Sequence, residues 1–130
     1  MISALLVCGV MCVPPSDSTD VDGILRAISK VESNHKDDAI GDGGKAIGRY
    51  QIHKVYWQDA VEFDPSISGK YEDCKDPEYA RKIVIAYLSR YAPDWDIDTV
   101  SGIHNGGPKG HKKSATKVYR RKVKQAFEQE

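Results

Sequence analysis

Only one cysteine, Cys74, lies beyond the first 12 residues of this 130-residue chain; the other two, Cys8 and Cys12, fall near its start. A disulfide framework within a folded domain is therefore excluded, and whatever forms must be held together by an apolar core. The length supplies one such core and is too short for two. Cys74 has no cysteine or histidine neighbour at a zinc-ligand spacing, so a lone buried or surface thiol is expected in place of a structural metal site.

Residues 1–19 read as a leader and linker, and residues 20–130 as the folded domain. The segment Met1–Val13 is apolar, about as long as the hydrophobic region of a secretory signal, and is followed by Pro14-Pro15-Ser16. It lacks the preceding positive residues of such a signal, and reads as a signal or a membrane tether; secretion or attachment at the cell envelope is expected. No apolar run approaches the roughly 20 residues of a spanning helix. The formal net charge is zero, but Lys109, Lys112, Lys113, Lys117, Arg120, Arg121, Lys122 and Lys124 follow one another with no acid between them. Such a run reads first as a solvated helix face, and second as an attractor of anionic polymer.

The apolar spacing predicts mostly helices. Ile24, Leu25, Ile28 and Val31 recur at helical intervals after Asp20 or Asp22, either of which can cap a helix running to about Ser33. The glycine- and aspartate-rich stretch from Asp37 to Tyr50 predicts a small β-hairpin. A helix over Lys54–Phe63 is closed by Asp64-Pro65, and Asp76-Pro77 opens the strongest helix, striped by Ile83, Val84, Tyr87, Leu88 and Tyr91. A short helix over about 98–104 stops at Asn105-Gly106-Gly107-Pro108, and a last one spans roughly 114–128. The fold class is α+β, mostly helical.

The most informative chemical feature is Glu32. Leu25, Ile28 and Glu32 stand at i, i+3 and i+7, which puts a carboxyl on the apolar face of the first helix. Burial there disfavours the ionised form, as a general acid working near neutral pH requires. On periodicity alone, a glutamate that merely reaches past the core edge into water explains the pattern as well. Asp42, in the turn Gly41-Asp42-Gly43-Gly44, is the candidate second carboxylate, and is equally a plain turn former; Asp37 and Asp38 are rivals. Two polar, glycine-bearing segments read as site material: Gly48-Arg49-Tyr50-Gln51-Ile52 and Ile103-His104-Asn105-Gly106-Gly107-Pro108. For His104 and Asn105, a helix C-terminal cap is the competing explanation.

Taken together the motifs resemble the invertebrate-type, destabilase-like lysozymes. The matching pieces are Val31-Glu32-Ser33, Gly48-Arg49-Tyr50-Gln51-Ile52 with Tyr56-Trp57-Gln58-Asp59, Ala86-Tyr87-Leu88-Ser89-Arg90-Tyr91-Ala92, and His104-Asn105-Gly106-Gly107-Pro108-Lys109-Gly110, in the family's order. The resemblance implies a lysozyme-like α+β fold with the hairpin flanking an active-site cleft. It implies a muramidase that hydrolyses the β-1,4 bond between N-acetylmuramic acid and N-acetylglucosamine of peptidoglycan glycan strands. Glu32 falls on the family's acid and Asp42 lies nearest the second carboxylate, while Ser33, Tyr50, Gln51, His104, Asn105 and Gly106 are expected at the sugar cleft. The chain is shorter than the family between the glutamate and the Gln-Ile pair, and it lacks the disulfides of animal members. With no match to a serine–base pair, isopeptidase activity is not carried over.

A looser similarity links the same residues to soluble lytic transglycosylases, which work with one glutamate and release anhydro-sugars. A non-catalytic glycan-binding module is a third reading. No metal and no organic cofactor is expected, because two carboxyls suffice for glycoside cleavage. No specific nucleic-acid partner is expected, and the chain is expected to act as a monomer.

Overall fold

A computed structural model describes residues 19–129. The segment Met1–Val13, with the expectation attached to it, lies outside the described residues. Among these residues no helix is long and apolar enough to cross a membrane.

Helix α1 spans Val21–Ser33. It starts where Asp20 accepts a hydrogen bond from the Gly23 N–H at 2.8 Å, so Asp20 and not Asp22 is the cap. It ends where Asn34 turns left-handed at φ 55°, its N–H donating to the Lys30 carbonyl. Between these stops Ile24, Leu25, Ala27 and Ile28 are buried.

The expected hairpin is present and gains a third strand. Strands β1 (Ile40–Gly41), β2 (Ala46–Ile47) and β3 (Ile52–His53) form one antiparallel sheet, with Ile40 opposite Ile47, Gly41 opposite Ala46, Ala46 opposite His53 and Ile47 opposite Ile52. A 3-10 turn over Asp42–Gly44 joins β1 to β2. Strand β3 escapes sequence reading because it has two residues, too few to show alternation. It is fixed from outside: the Tyr71 hydroxyl lies 2.7 Å from the Ile52 carbonyl and 3.0 Å from that of Lys45. At the far corner Gly48 holds φ 79°, and a Cβ there would stand 2.2 Å from the Cys74 carbonyl oxygen. The sheet corner thus packs backbone to backbone on the 3-10 turn Tyr71–Lys75. Cys74 is buried there as a free thiol, pushed up to about 12 mainly by burial, and is the inert thiol its isolation suggests.

Helix α2 (Lys54–Phe63) packs on α3 (Pro77–Tyr91), where Pro77 occupies the first turn and Asp76 accepts from the Tyr79 N–H. Ile83, Val84, Tyr87 and Leu88 are buried along one side of α3, as the stripe requires. Helix α4 (Ile97–Gly106) begins at the cap Asp96, one residue before the expected start, and runs two residues past the expected end. The expected last helix is split, with a 3-10 turn over Ser114–Thr116 and then α5 over Lys117–Glu128. Lys109, Lys112, Lys113, Lys117, Arg121 and Lys122 are exposed, while Arg120 and Lys124 pair with Asp98 at 2.8 and 3.2 Å. The basic run is thus largely solvated, but its opposite side buries Thr116 and Val123 and packs on α1 and α4.

Gly102 and Gly110 permit a close backbone approach here. An added Cβ would stand 2.4 Å from the His111 Cα, and one on Gly110 would stand 1.9 Å from the Gly102 carbonyl oxygen. Replacing glycine by alanine inside a helix ordinarily stabilises by about 1 kcal/mol. Here the sign is expected to reverse, with Gly102→Ala lowering the unfolding free energy by about 2 kcal/mol because backbone must move; urea unfolding of the variant measures it.

Candidate active site

The carboxyl of Glu32 sits at the C-terminal end of α1, where α1 meets α5 and α4. Its side chain retains 17 % of its accessible surface, so it is buried but not sealed. The Tyr119 hydroxyl donates to its Oε2 at 2.8 Å, and His104 Nε2 stands 3.4 Å from the same oxygen. Burial raises the Glu32 acid to about 7, against a weaker lowering by the Tyr119 hydrogen bond, and the negative charge of Asp42 raises it further. Periodicity put Glu32 on the apolar face, and the structure buries it there.

His104 is fixed by two hydrogen bonds. Its Nε2 is 2.9 Å from the Tyr50 carbonyl oxygen, which can only accept, so Nε2 carries the proton. Nδ1 is then the acceptor, and takes the Tyr56 hydroxyl proton at 2.8 Å. Tyr56 in turn stacks on Tyr87 with ring centroids 3.7 Å apart. Burial lowers His104 to about 4, with the Tyr50 carbonyl opposing and nearby His53 reinforcing the shift. The imidazole is therefore neutral at neutral pH, and its contact with Glu32 is not an ion pair.

Asp42 is placed on the turn beyond β1 at φ 51°, exposed over 66 % of its side chain, with Oδ2 2.8 Å from His53 Nε2. The cross-strand register explains the pairing: Gly41, Ala46 and His53 lie in one row across the sheet, and the turn carries Asp42 back over it. Asp37 is engaged by Arg49 at 2.6 Å, and Asp38 is exposed. Of the three candidate aspartates, only Asp42 acts on the Glu32 carboxyl as a charge.

The remaining expected residues divide. Asn105, Gly106, Gly107 and Pro108 form the rim of a groove that includes Tyr56, Asp59 and His53 and meets only the edge of His104. The Ser33 hydroxyl donates to the Arg49 carbonyl at 2.8 Å, Tyr50 is buried, and the Gln51 amide donates to the Gly48 and Ala39 carbonyls at 3.0 and 3.3 Å. His104 is held by Tyr50 and Tyr56 as part of the buried scaffold and does not serve as a helix cap. Neither that groove nor a second one of about 520 Å³, lined by Phe63, Ile67, Tyr79, Lys82, Ile85 and Ser89, is lined by Glu32 or Asp42.

Two residues of the site escape sequence reading. His53 lies in a two-residue strand. Tyr119 lies inside the basic run, although Thr116, Tyr119 and Val123 at i, i+3 and i+7 are the signal of a buried face that the surrounding lysines hide.

The sequence profile of the destabilase family matches residues 22–126, nearly all of the described chain. The chain belongs to the destabilase family. It is 32 % identical over 133 residues to a lysozyme of Ostrea edulis, covering 95 % of this chain and 91 % of that protein. It is 32 % identical over 108 residues to invertebrate-type lysozyme 6 of Caenorhabditis elegans, covering 73 % and 78 %. A chain in the crystal structure of Aeromonas hydrophila PliI in complex with Meretrix lusoria lysozyme superposes with a TM-score of 0.66 at 28 % identity, over 79 % of this chain and 87 % of that one. The destabilase-family lysozyme described here is thus a glycosidase on a lysozyme-like α+β fold, as its motifs implied.

The raised Glu32 pKa has a thermodynamic consequence in this lysozyme. Between the ordinary 4.5 and about 7, the folded state binds the Glu32 proton more tightly than the unfolded chain does. The stability tied to that proton is fully present below 4.5 and lost as pH rises through about 7. His104 has the opposite sign, its contribution being present above 6.5 and lost as pH falls through about 4. Glu32→Gln removes the first effect alone. It is expected to exceed the wild type in stability by about 3 kcal/mol at pH 8, with the gap closing towards pH 4.5; urea unfolding across that range checks it.

Proposed function

We propose that Glu32 is the general acid and Asp42 the nucleophile of a retaining muramidase that cleaves the β-1,4 bond between N-acetylmuramic acid and N-acetylglucosamine in peptidoglycan. The observation that carries this reading is a largely buried carboxyl, held by the Tyr119 hydroxyl at 2.8 Å and raised to about 7, that feels the charge of one exposed aspartate on the β1–β2 turn. One group holds a proton while its neighbour stays ionised, which is the division of labour glycoside cleavage needs.

In the first step Glu32 gives its proton to the glycosidic oxygen as the C1–O bond breaks, and the Asp42 carboxylate bonds to C1. The leaving sugar departs with a new hydroxyl. In the second step the Glu32 carboxylate takes a proton from water, whose oxygen attacks C1 and releases Asp42, so the configuration is retained and both carboxyls return to their starting states. His53 holds Asp42 Oδ2, which leaves Oδ1 to attack. Asn105 and Gly106 flank the path of the glycan strand. We place this work at the bacterial wall, outside the producing cell, in keeping with the apolar segment Met1–Val13.

Glu32→Gln is expected to fold and to lose at least about 10³-fold in kcat, since it can neither donate nor accept the proton. Asp42→Asn is expected to be comparably damaging. Mass spectrometry of fragments released from purified peptidoglycan should show free reducing ends. Anhydro ends together with an active Asp42→Asn would replace the hydrolase by a transglycosylase working with Glu32 alone, and failure to release fragments would leave a binding module. In the wild type kcat/KM should fall as pH rises through about 7, where Glu32 loses its proton.

A further inference from the structure

The two close contacts of the Glu32 carboxyl fall on one oxygen. Tyr119 donates to Oε2 at 2.8 Å and His104 Nε2 stands 3.4 Å from it, while among the described residues no hydrogen bond to Oε1 is found. A protonated carboxyl is not symmetrical, because its carbonyl oxygen accepts well and its hydroxyl oxygen donates. A donor fixed on one oxygen therefore selects the other to carry the proton.

We infer that Tyr119 is a positioning residue for the acid: with His104 behind it, it fixes Oε2 as the accepting oxygen, so that Oε1 carries the proton delivered to the substrate. This rests on the reading of Glu32 as the acid.

Three features suit Tyr119 to the task. Its hydroxyl comes from α5 while the carboxyl comes from α1, and the two helices pack along their lengths, so the bond is set by the core and not by a loop. Burial, with the Glu32 charge second, holds the phenol well above its ordinary range, and it remains a donor throughout the working pH. It also favours the carboxylate that must exist between the two chemical steps, limiting how far burial can raise the acid. The titratable groups facing the carboxyl are Tyr119 from α5, His104 from α4, Tyr56 from α2 and Asp42 from the β1–β2 turn. His104 is neutral and bonded elsewhere, the Tyr56 hydroxyl donates its hydrogen bond to His104, and Asp42 opposes ionisation. Tyr119 is thus the group that offers a hydrogen bond to the carboxylate.

The test is Tyr119→Phe, read by its pH profile. Without the donor the acid should titrate higher, and the alkaline limb of kcat/KM should move up by about one pH unit. A carboxyl free to present either oxygen should cost severalfold in kcat with KM unchanged. A ¹³C NMR titration of the Glu32 carboxyl should show the same upward shift without any substrate. An unmoved or downward-moved titration in folded Tyr119→Phe would overturn the inference, as would a loss of thermal stability with the limb in place.

If the variant does not fold, the wild type decides. The carbonyl stretch of protonated Glu32, isolated at pH 5 as the infrared difference between wild type and Glu32→Gln, should be that of a hydrogen-bonded carbonyl, and a free carbonyl overturns the assignment. The NMR and infrared readings concern the carboxyl itself, so they stand apart from the cleavage assay. An active Glu32→Gln would defeat the catalytic reading while leaving these spectra to report the geometry.

Discussion

The site depends on a neutral histidine held in the core. His104 joins three parts of the chain that are distant in sequence: α4 through its own backbone, the β2–β3 connection through the Tyr50 carbonyl, and α2 through the Tyr56 hydroxyl. Both ring nitrogens are satisfied, which makes an uncharged imidazole tolerable in the interior, where a charged one would cost several kcal/mol. Because the carbonyl fixes the tautomer, the ring cannot flip without stranding a buried acceptor. The rim Asn105–Pro108 follows directly from this anchored residue, so the wall of the groove is positioned by the same bonds that close the core.

Cys74 is the only cysteine among the described residues and is free, so no disulfide among them holds this site. In this chain, glycines and buried polar contacts serve instead. Gly48 against the Cys74 carbonyl and Gly102 against Gly110 and His111 bring backbone segments together at distances a side chain would forbid. Thr116 adds a hydrogen bond from its hydroxyl to the Gly110 carbonyl at 2.7 Å, closing the loop that leads into α5. Close packing acts on the folded state, whereas a cross-link acts largely by restricting the unfolded one. The stability of this fold therefore resides in contacts that a single added methyl can disturb.

Much of this was legible in the sequence, and the reasons differ from part to part. The boundaries of α1, α2 and α3 follow from local chemistry, with Asp20 and Asp76 as caps, Asn34 as a left-handed stop and Pro77 in a first turn. Glu32 was legible because helical periodicity measures which face is buried. Asp42 was legible only as an aspartate in a turn, since its relation to Glu32 depends on how the sheet is laid against the helices. Sequence analysis placed Ser33, Tyr50, Gln51 and His104 at the sugar cleft through resemblance. In the structure the Ser33 hydroxyl, the Gln51 amide and the His104 ring each bond a backbone carbonyl, and Tyr50 is buried. A motif shared across a family marks what holds a site as readily as what touches a substrate. Tyr119 was hidden because charge dominates the reading of α5, where Tyr119, Val123, Ala126 and Phe127 mark the buried side between exposed basic residues.

Two ways exist to keep a glutamate protonated near neutrality: surround it with negative charge, or take it out of water. Burial is the larger cause for Glu32, with the charge of Asp42 the smaller. A charge-based device would weaken as salt screens it and would place a second carboxylate hard against the first, where both could not ionise. A burial-based device leaves Asp42 out at the solvent-exposed turn, bonded to His53 and separate from the Glu32 carboxyl. Its cost is that the carboxylate formed after proton transfer is stranded in the core edge, and a donor must wait there for it. In this chain that donor comes from outside α1, since the α1 hydroxyls of Ser29 and Ser33 are engaged with His35 and the Arg49 carbonyl while Tyr119 reaches the carboxyl. On the proposed reading of Glu32 as the acid, the packing of α5 on α1 is part of that acid, and any change that loosens the last helix should alter proton transfer before it unfolds the protein.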